Sequence, residues 1–439
     1  MRIFGKLYVQ VLIGVALGIA LGYAEPVFAT SLKPLGDAFI KAIKLMVGPI
    51  IFTTVVVGIA TMGDIRRVAA VGLKALIYFE IVSTLALVIG MVAGNVVPLG
   101  AHMHVDPGTF DAANVAGYVS QARSLNLTDF LLNIIPATFV DPFAKGEILQ
   151  ILFIAILFGL AICQLGERAR PVVALLELVA KALFAMVRVI MVAAPIAAFA
   201  AIAFTVGKFG IRTLLDLGGF VLAVFAVCLA FVVLVFGFVL RLCGFRLSRV
   251  LGYFKEEILF VFAATSSEAM LPPSMEKLER LGCSREVVGL VMPAGFSFNM
   301  DGSAIYMSMS VLFIAHATNI DLSWSQQFLM LFVMLFTSKG AAGVSGGGFV
   351  ALAATLPAIG VLPVGGLTLL LGIERFMSQI RAAVNLTSNI VATLVVARWT
   401  SAIDLAQAGQ MLGGRTGRQS PAVDEVSAHE ARAPDPSGH

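Results

Sequence analysis

Long apolar stretches separated by short polar segments dominate this chain of 439 residues. Several of them reach the roughly 20 consecutive apolar residues that a helix needs to cross a bilayer. The pattern therefore predicts an all-α integral membrane protein. The predicted spanning helices lie near residues 7–24, 35–62, 73–98, 147–164, 171–206, 213–243, 287–316 and 363–399.

Two further apolar stretches are interrupted halfway. In the first, ILFVFAA (258–264) leads into TSSE (265–268) and then into Pro272 and Pro273, which rule out a continuous helix. In the second, FLMLFVMLF (328–336), about 14 Å of helix, is followed by the Gly-rich SKGAAGVSGGG and by another apolar arm, 349–361. Both predict re-entrant helical hairpins, the first entered from the cytoplasm and the second from outside. Paired interrupted segments of this kind point to a binding site near the membrane midplane.

Composition and charge agree with this interpretation. Charged residues make up 13% of the chain and hydrophobic residues 59%, whereas soluble domains carry about 25% charged residues. The net charge of +4 is small and gives no reason to expect nucleic acid as a partner. Lys and Arg concentrate at the N-terminus and in alternate loops, so both termini are predicted to be cytoplasmic. The acidic loop 99–146 then lies outside, and the polar segment 413–439 is predicted to be a disordered cytoplasmic tail.

Small residues and cysteines add two smaller points. Gly14, Gly18 and Gly22 recur at four-residue spacing in the first helix, which permits close packing of a second helix, although high Gly content is common in membrane helices. The four cysteines are isolated, so neither a disulfide framework nor a zinc site is indicated, and no cofactor is expected.

Arg381 lies inside the last apolar stretch. A guanidinium cannot deprotonate, and placing it in a bilayer costs at least a few kcal/mol, so it should face a cavity and an anionic partner. Asn385 and Asn389 follow at i+4 and i+8 and share its helical face. This polar stripe predicts a carboxylate-binding site. The alternative is an arginine that snorkels to the interface, which fits Arg398 near the helix end much better.

The segment FSFNMDGSAIYMSM (296–309) breaks another apolar helix in its middle. Asn299 and Asp301 place a carboxylate and an amide beside Gly302, where the helix is loosened. Oxygen ligands suit a hard cation, and Na⁺ is the natural candidate in a membrane. The alternative is a buried aspartate that pairs with an arginine.

Four strings in order, NMDGSAIY, TSSE with its following LPP, SKGAAGVSGGG and RAAVNLTSN, resemble the dicarboxylate/amino acid:cation symporter family, and most closely its bacterial C4-dicarboxylate branch. The likeness covers roughly residues 5–405. It implies eight transmembrane helices and two re-entrant hairpins, assembled as a homotrimer that works like an elevator. A scaffold (about 1–70 and 125–210) would hold a mobile transport domain (about 71–98 and 211–405), within a membrane transporter domain spanning 1–412.

The resemblance also assigns site residues. Ser266 and Ser267 would bind one carboxylate of the substrate, Arg381 the other, and the backbone from Val344 to Gly348 would close the outer gate. The further substrate contacts would come from Ser303, Ser378 and Asn385. The cation ligands would be Gly295, Asn299, Asn385 and Asn389 in one site, Asp301 with Ser83 and Thr84 in a second, and backbone at 338–341 in a third.

Three departures from the family pattern bear on substrate and coupling. Ser378 stands where amino acid transporters of the family carry an aspartate that binds the substrate ammonium. Asn389 stands where sodium-coupled members have aspartate, and Met307 where animal glutamate transporters have a proton-carrying glutamate. If protons are carried, Glu80 and Glu374 are the visible candidates, and Glu374 is equally placed to pair with Arg381.

The resemblance therefore implies a symporter in the bacterial inner membrane, surrounded by lipid, that imports succinate, fumarate or malate with Na⁺, H⁺ or both. The alternative within this class is an acidic amino acid symporter for aspartate or glutamate. An anion channel needs no paired gates. A membrane enzyme would need a nucleophile or metal constellation that the sequence does not offer, since Ser266 and Ser267 have no histidine nearby.

Overall fold

The computed structural model describes residues 7–62, 65–97, 99–101, 103–106, 132, 134–209, 217–340, 347–359, 361–371 and 373–413. Within these ranges the backbone is helical, and the β structure consists of one isolated bridge between Cys283 and Ile403. The all-α prediction is confirmed for this part of the chain. The predicted tail beyond residue 413 lies outside the described residues, as does Val344.

The described residues of the N-terminal half form eight α-helices, and the longest of them, α3 and α4, have 30 and 32 residues. They are α1 (Leu7–Ala24), α2 (Pro26–Ser31), α3 (Lys33–Met62), α4 (Ile65–Val96), α5 (Asp141–Lys145), α6 (Ile148–Leu165), α7 (Arg170–Met191) and α8 (Ala194–Phe209).

The single helix predicted over 171–206 is wrong, because the chain turns between α7 and α8. Val192 and Ala193 bond to carbonyl groups only three residues back, which tightens the end of α7. Pro195 lacks the N–H group that a continuous helix would need there, and its ring would clash with the preceding turn.

The close packing predicted for the first helix is confirmed, since α1 lies along α8. A Cβ atom at Gly14 would stand 2.7 Å from the carbonyl oxygen of Pro195, and one at Gly18 would stand 2.6 Å from that of Phe199. Any larger side chain would force the two helices apart.

The helices described in the second half are mostly shorter than those of the first half, since breaks in the chain are more frequent there. They are α9 (Gly218–Phe231), α10 (Gly237–Leu242), α11 (Leu247–Tyr253), α12 (Lys255–Ala264), α13 (Leu271–Arg280), α14 (Arg285–Phe298), α15 (Asp301–Ala317), α16 (Trp324–Gly340), α17 (Gly347–Ile359), α18 (Thr368–Leu371), α19 (Glu374–Trp399) and α20 (Leu405–Met411). A π-helical turn, Val232–Phe236, joins α9 to α10.

The first hairpin consists of α12, a tip at 265–270, and α13. Thr265 adopts a left-handed conformation (φ 59°) that ends α12, and Pro272 and Pro273 fall in the first turn of α13. Proline is tolerated there because the first N–H groups of a helix have no intrahelical partner. The predicted break is confirmed.

The second hairpin consists of α16 and α17. Its first arm has 17 residues, about 25 Å, so the nine-residue arm predicted over 328–336 is wrong. The helix begins earlier because of a capping box: Gln326 Oε1 accepts from the Ser323 N–H at 2.8 Å, and the Gln326 N–H donates to Ser323 Oγ at 3.4 Å. The second arm, predicted over 349–361, begins at Gly347.

Two further helices differ from the apolar pattern. The break predicted at Asn299 is confirmed, since α14 ends at Phe298 and α15 begins at Asp301. The helix predicted from residue 363 instead starts as a 3₁₀ turn, Val364–Leu367, followed by α18, and α19 begins at Glu374. Gly365 and Gly366 explain the delay, because each costs about 1 kcal/mol in an α-helix relative to Ala.

Within the described residues, five helical stretches are long and apolar enough to cross a membrane: Pro26–Ala60, Val68–Val96, Ile148–Met191, Gly218–Leu242 and Glu374–Trp399. Their positions in the molecule differ. The apolar window of Glu374–Trp399 is wholly buried inside the protein, whereas only 33% of that in Ile148–Met191 is buried. Helix α19 is therefore central, and it contacts α12, α14 and α15.

Candidate functional site

The polar stripe predicted on α19 is buried in the protein. Arg381 and Asn385 are each 5% exposed and Asn389 is 1% exposed. Arg398, the penultimate residue of the helix, is exposed. The guanidinium of Arg381 therefore does not reach the protein surface, in contrast to the exposed side chain of Arg398.

Glu374 is the acidic partner of Arg381. Nη2 of Arg381 donates to Glu374 Oε1 at 2.6 Å and to Ser378 Oγ at 2.8 Å. Tyr306 of α15 donates its hydroxyl to Glu374 Oε2 at 2.8 Å, and its ring lies 4.5 Å from the guanidinium carbon. The pairing of Glu374 with Arg381, one of the two roles predicted for this acid, is observed. It neutralises a charge that would otherwise be buried alone.

The second hairpin reaches the other side of the guanidinium. Gly348, in the first turn of α17, lies so close that a Cβ atom there would stand 2.5 Å from Arg381 Nη1. The unpaired N–H groups and positive dipole end of a helix N-terminus favour anions. The start of α17 and the Nη1 edge of Arg381 thus bring two kinds of donor to one place.

The serines of the first hairpin lie at its tip. Ser266 and Ser267 are half-buried, and Ser267 directly precedes the 3₁₀ turn Glu268–Met270. Helix α12, which leads to this tip, packs on α19.

Asn385 and Ser303, both predicted substrate contacts, are bonded to each other. Asn385 Nδ2 donates to Ser303 Oγ at 3.1 Å, and its Oδ1 accepts from the N–H groups of Gly302 at 2.8 Å and Ser303 at 3.3 Å. Asn385 therefore caps the N-terminus of α15 from a neighbouring helix. Its side chain locks α15 to α19 at the point where α15 begins.

Asp301 forms the centre of a second polar cluster and is fully buried. Ser83 of α4 donates to its Oδ1 at 2.9 Å, and Ser388 of α19 donates to its Oδ2. Ser388 was missed in the sequence, although it lies seven residues after Arg381 and so on the same helical face. Thr84, the other predicted ligand on α4, is exposed, because successive residues on a helix point about 100° apart and Ser83 faces inward.

Asn299 and Asn389 complete this cluster. Asn299 Nδ2 donates to Ser388 Oγ at 2.7 Å and to Asn389 Oδ1 at 3.0 Å, while its own Oδ1 is buried without a hydrogen-bond partner among the described residues. In the alternative orientation of the Asn389 amide the bond from Asn299 Nδ2 is lost, and the Asn389 nitrogen instead lies 3.3 Å from the carbonyl oxygens of Gly295 and Asn299. The cluster thus offers a carboxylate and an unsatisfied amide oxygen, the donor set that suits a hard cation.

Most of the predicted site residues therefore lie on α19 or close to it. Ser378 and Asn389 belong to this helix, Gly295, Asn299, Asp301, Ser303 and Gly348 lie directly against its side chains, and Ser83 is linked to it through Asp301. Groups of three or more metal-ligating side chains (His, Cys, Asp, Glu) do not occur in the described part of the chain.

Comparison with known proteins places the chain among transporters. Residues 7–399 match the family model described as "Sodium:dicarboxylate symporter family". The chain is 51% identical over 419 residues to a protein of Rhizobium johnstonii, with 95% of this chain and 94% of that protein covered. It is 52% identical over 402 residues to one of Paraburkholderia phymatum (92% and 94% covered) and 50% identical over 403 residues to one of Bordetella avium (92% and 91%).

Each of these three relatives is named "C4-dicarboxylate transport protein". The family match extends from the start of α1 to the end of α19, so it includes both polar clusters and both hairpins. The chain belongs to the sodium:dicarboxylate symporter family.

Proposed function

We propose that the protein is a secondary active symporter that imports C4-dicarboxylates such as succinate, fumarate and malate with Na⁺, H⁺ or both. The observation that carries this proposal is the buried guanidinium of Arg381 at the N-terminus of α17, beside the neutral side chain of Ser378. The names of the relatives support the same substrate class.

Arg381 would hold one carboxylate of the substrate. Its Nη2 is engaged by Glu374 and Ser378, whereas Nη1 lies 3.5 Å from Glu374 Oε2, a long contact. A carboxylate that docks against the Nη1 edge would also meet the first N–H groups of α17, and closure of the second hairpin would complete this pocket. Ser266 and Ser267 at the opposite tip would take the other carboxylate.

Ser378 argues for a dicarboxylate over an acidic amino acid. A substrate ammonium would need a buried anionic partner, and a serine hydroxyl cannot provide one. Glu374 does not fill that role, because its negative charge is already compensated by the ion pair with Arg381. A dicarboxylate leaves no such group unpaired.

Coupling to cations follows from the charge of the substrate. Moving a dianion inward against 100 mV costs about 4.6 kcal/mol, at about 2.3 kcal/mol per charge. Two monovalent cations cancel this cost, and a third makes the potential favour import. Asp301, Ser83, Asn299 and Ser388 would bind one of these cations, and Gly295 and Asn389 would contribute to another.

The proposed architecture follows the same family. The protein would sit in the bacterial inner membrane with both termini in the cytoplasm and assemble as a homotrimer. A scaffold (about 1–70 and 125–210) would hold a transport domain (about 71–98 and 211–405) that carries the site across the membrane. The packing of α12, α14 and α15 around α19 supports their movement as one unit.

Uptake of radiolabelled succinate into proteoliposomes tests the proposal. Malate and fumarate should compete at similar concentrations, whereas aspartate and glutamate should compete weakly. Sodium and pH gradients are to be imposed separately, and at least one of them should drive accumulation. Strong competition by aspartate would instead support an acidic amino acid symporter, and uptake that ignores both gradients would contradict symport.

A further inference from the structure

A lysine of the second hairpin is paired with an acid of α4. Lys339 Nζ lies 2.6 Å from Glu80 Oε1, and the Lys339 side chain is only 11% exposed, against 47% for Glu80. Lys339 is the penultimate residue of α16, next to the Gly-rich tip. The pair therefore joins the end of the first arm of the second hairpin to a long membrane helix.

The same lysine acts on the Asp301 cluster. Its charge attracts the carboxylate of Asp301, which is wholly buried. Glu80 precedes Ser83 by three residues on α4, and Ser83 donates to Asp301 at 2.9 Å. The ammonium thus binds Glu80 directly and acts on Asp301 only through its charge, at a distance.

We propose that the Lys339 ammonium is a tethered cation that takes the place of one co-transported Na⁺ in this chain. Glu80 and Asp301 carry two negative charges, and Lys339 compensates one of them. The cluster then needs one mobile cation instead of two to become neutral before it crosses the bilayer. This inference rests on the proposed symport function.

A purely structural ion pair fits the position less well. Exposed salt bridges contribute little to stability, and Glu80 is half exposed. A lysine ammonium is a compact point charge on a flexible stem, so among side chains it mimics an alkali cation better than a guanidinium does. The charge of Lys339 also acts on Asp301. An ion pair that only held α4 and α16 together would not require this.

The test compares Lys339→Met with Lys339→Arg, with the double variant Glu80→Gln/Lys339→Met and with wild type, all as full-length protein in proteoliposomes. The ratio of radioactive sodium to succinate taken up per cycle is measured. Lys339→Met should gain one Na⁺ per succinate, whether wild type takes none or several. Lys339→Arg and the double variant should keep the wild-type ratio, because the total charge of the cluster is unchanged.

Lys74→Met is the matched control. Lys74 lies on α4 as well, but it donates to the carbonyl oxygen of Trp399 and takes no part in the cluster. Its removal should leave the ratio unchanged. If Lys339→Met lowers the uptake rate without changing the ratio, Lys339 is a structural residue and the inference is overturned.

Loss of transport in Lys339→Met is covered by a second measurement. Radioactive sodium binding to the purified protein should rise by one ion per chain in Lys339→Met and return to the wild-type number in the double variant. An unchanged number would overturn the inference. Absence of succinate uptake by wild type would be a different result, because it contradicts the proposed function itself.

Discussion

Arg381 and Glu374 form the ion pair on which substrate binding would depend. Arg381→Ala should abolish succinate transport. It removes the guanidinium that would bind a carboxylate of succinate, and it leaves Glu374 buried without a cation. Truncating one partner of a buried, hydrogen-bonded charge pair between protein and ligand costs about 2–5 kcal/mol of binding free energy, which corresponds to at least about 30-fold in affinity. Succinate binding to the purified variant measures the loss.

The control for Arg381 is Arg398→Ala on the same helix. Arg398 is exposed near the end of α19, so its removal should leave succinate binding close to that of wild type. Wild-type affinity in Arg381→Ala would remove the substrate-binding role from this residue.

Ser378 lies close to both members of this ion pair. Its hydroxyl lies 2.8 Å from Arg381 Nη2 and 3.3 Å from Glu374 Oε1, so Ser378→Asp introduces a carboxylate within reach of both. The new charge should repel a dicarboxylate and offer a partner to an ammonium group. The ratio of the aspartate to the succinate inhibition constant should fall at least about tenfold, since juxtaposed like charges cost several kcal/mol.

The two inhibition constants are measured on succinate uptake by wild type and variant. A ratio that stays constant, or that moves toward succinate, would show that Ser378 does not face the substrate. The serine at position 378 would then not explain a preference for dicarboxylates over amino acids.

Asp301 is the charged centre of the predicted cation site. Asp301→Asn keeps the size of the side chain but removes the negative charge that Ser83 and Ser388 surround. Uptake should lose its dependence on the driving cation gradient, which is measured by varying the Na⁺ and pH gradients one at a time. Asp321→Asn is the control, because Asp321 is exposed in the segment before α16. Full retention of gradient dependence in Asp301→Asn would assign a structural role to this aspartate.

Helix breaks decided how well the elements were predicted. Prolines and glycines within apolar runs marked the first hairpin and the interruption at Asn299, because these residues act locally on the backbone. The turn before α8 followed from Pro195 in the same way, but the apolar pattern around it concealed the signal. The early start of α16 depended on a capping box at Ser323 and Gln326, which lies outside the apolar run.

In the candidate site, residues that share one helix could be predicted, whereas their partners on other helices could not. The α19 stripe could be predicted because residues three, four or seven apart share a helical face, and the same rule would have included Ser388. Partners on other helices could not be derived from spacing alone. Tyr306 over Arg381, Asn385 at the N-terminus of α15 and Lys339 against Glu80 all depend on how the helices pack.

The start of α17 lies against the guanidinium of Arg381 at Gly348. Gly348→Ala should weaken succinate transport, on the order of 100-fold, because the added Cβ atom would push the helix away from Arg381. Uptake rate against succinate concentration measures the effect. Gly252→Ala is the matched control, since a Cβ atom there meets nothing within 4 Å. Unchanged uptake in Gly348→Ala would show that α17 does not close on the guanidinium.

Two ion pairs connect the proposed scaffold to the first hairpin. Lys44 of α3 lies 2.7 Å from Glu268 at the hairpin tip, and Arg188 of α7 lies 2.7 Å from Glu276 of α13. If the transport domain slides past the scaffold, both pairs must break in every cycle. Both are partly exposed, so each contributes little stability and is easily broken.

A cross-link across the first of these pairs tests the movement. Lys44 and Glu268 are replaced by cysteine in a variant without the four native cysteines, and a flexible bifunctional maleimide joins them. Succinate uptake should stop after cross-linking, because the hairpin can no longer leave α3. The control joins positions 257 and 277, which pair within the first hairpin at 2.9 Å and should move together. Uptake that survives the 44–268 cross-link would contradict the elevator mechanism, while loss of uptake in the control would show that the reagent itself inactivates the protein.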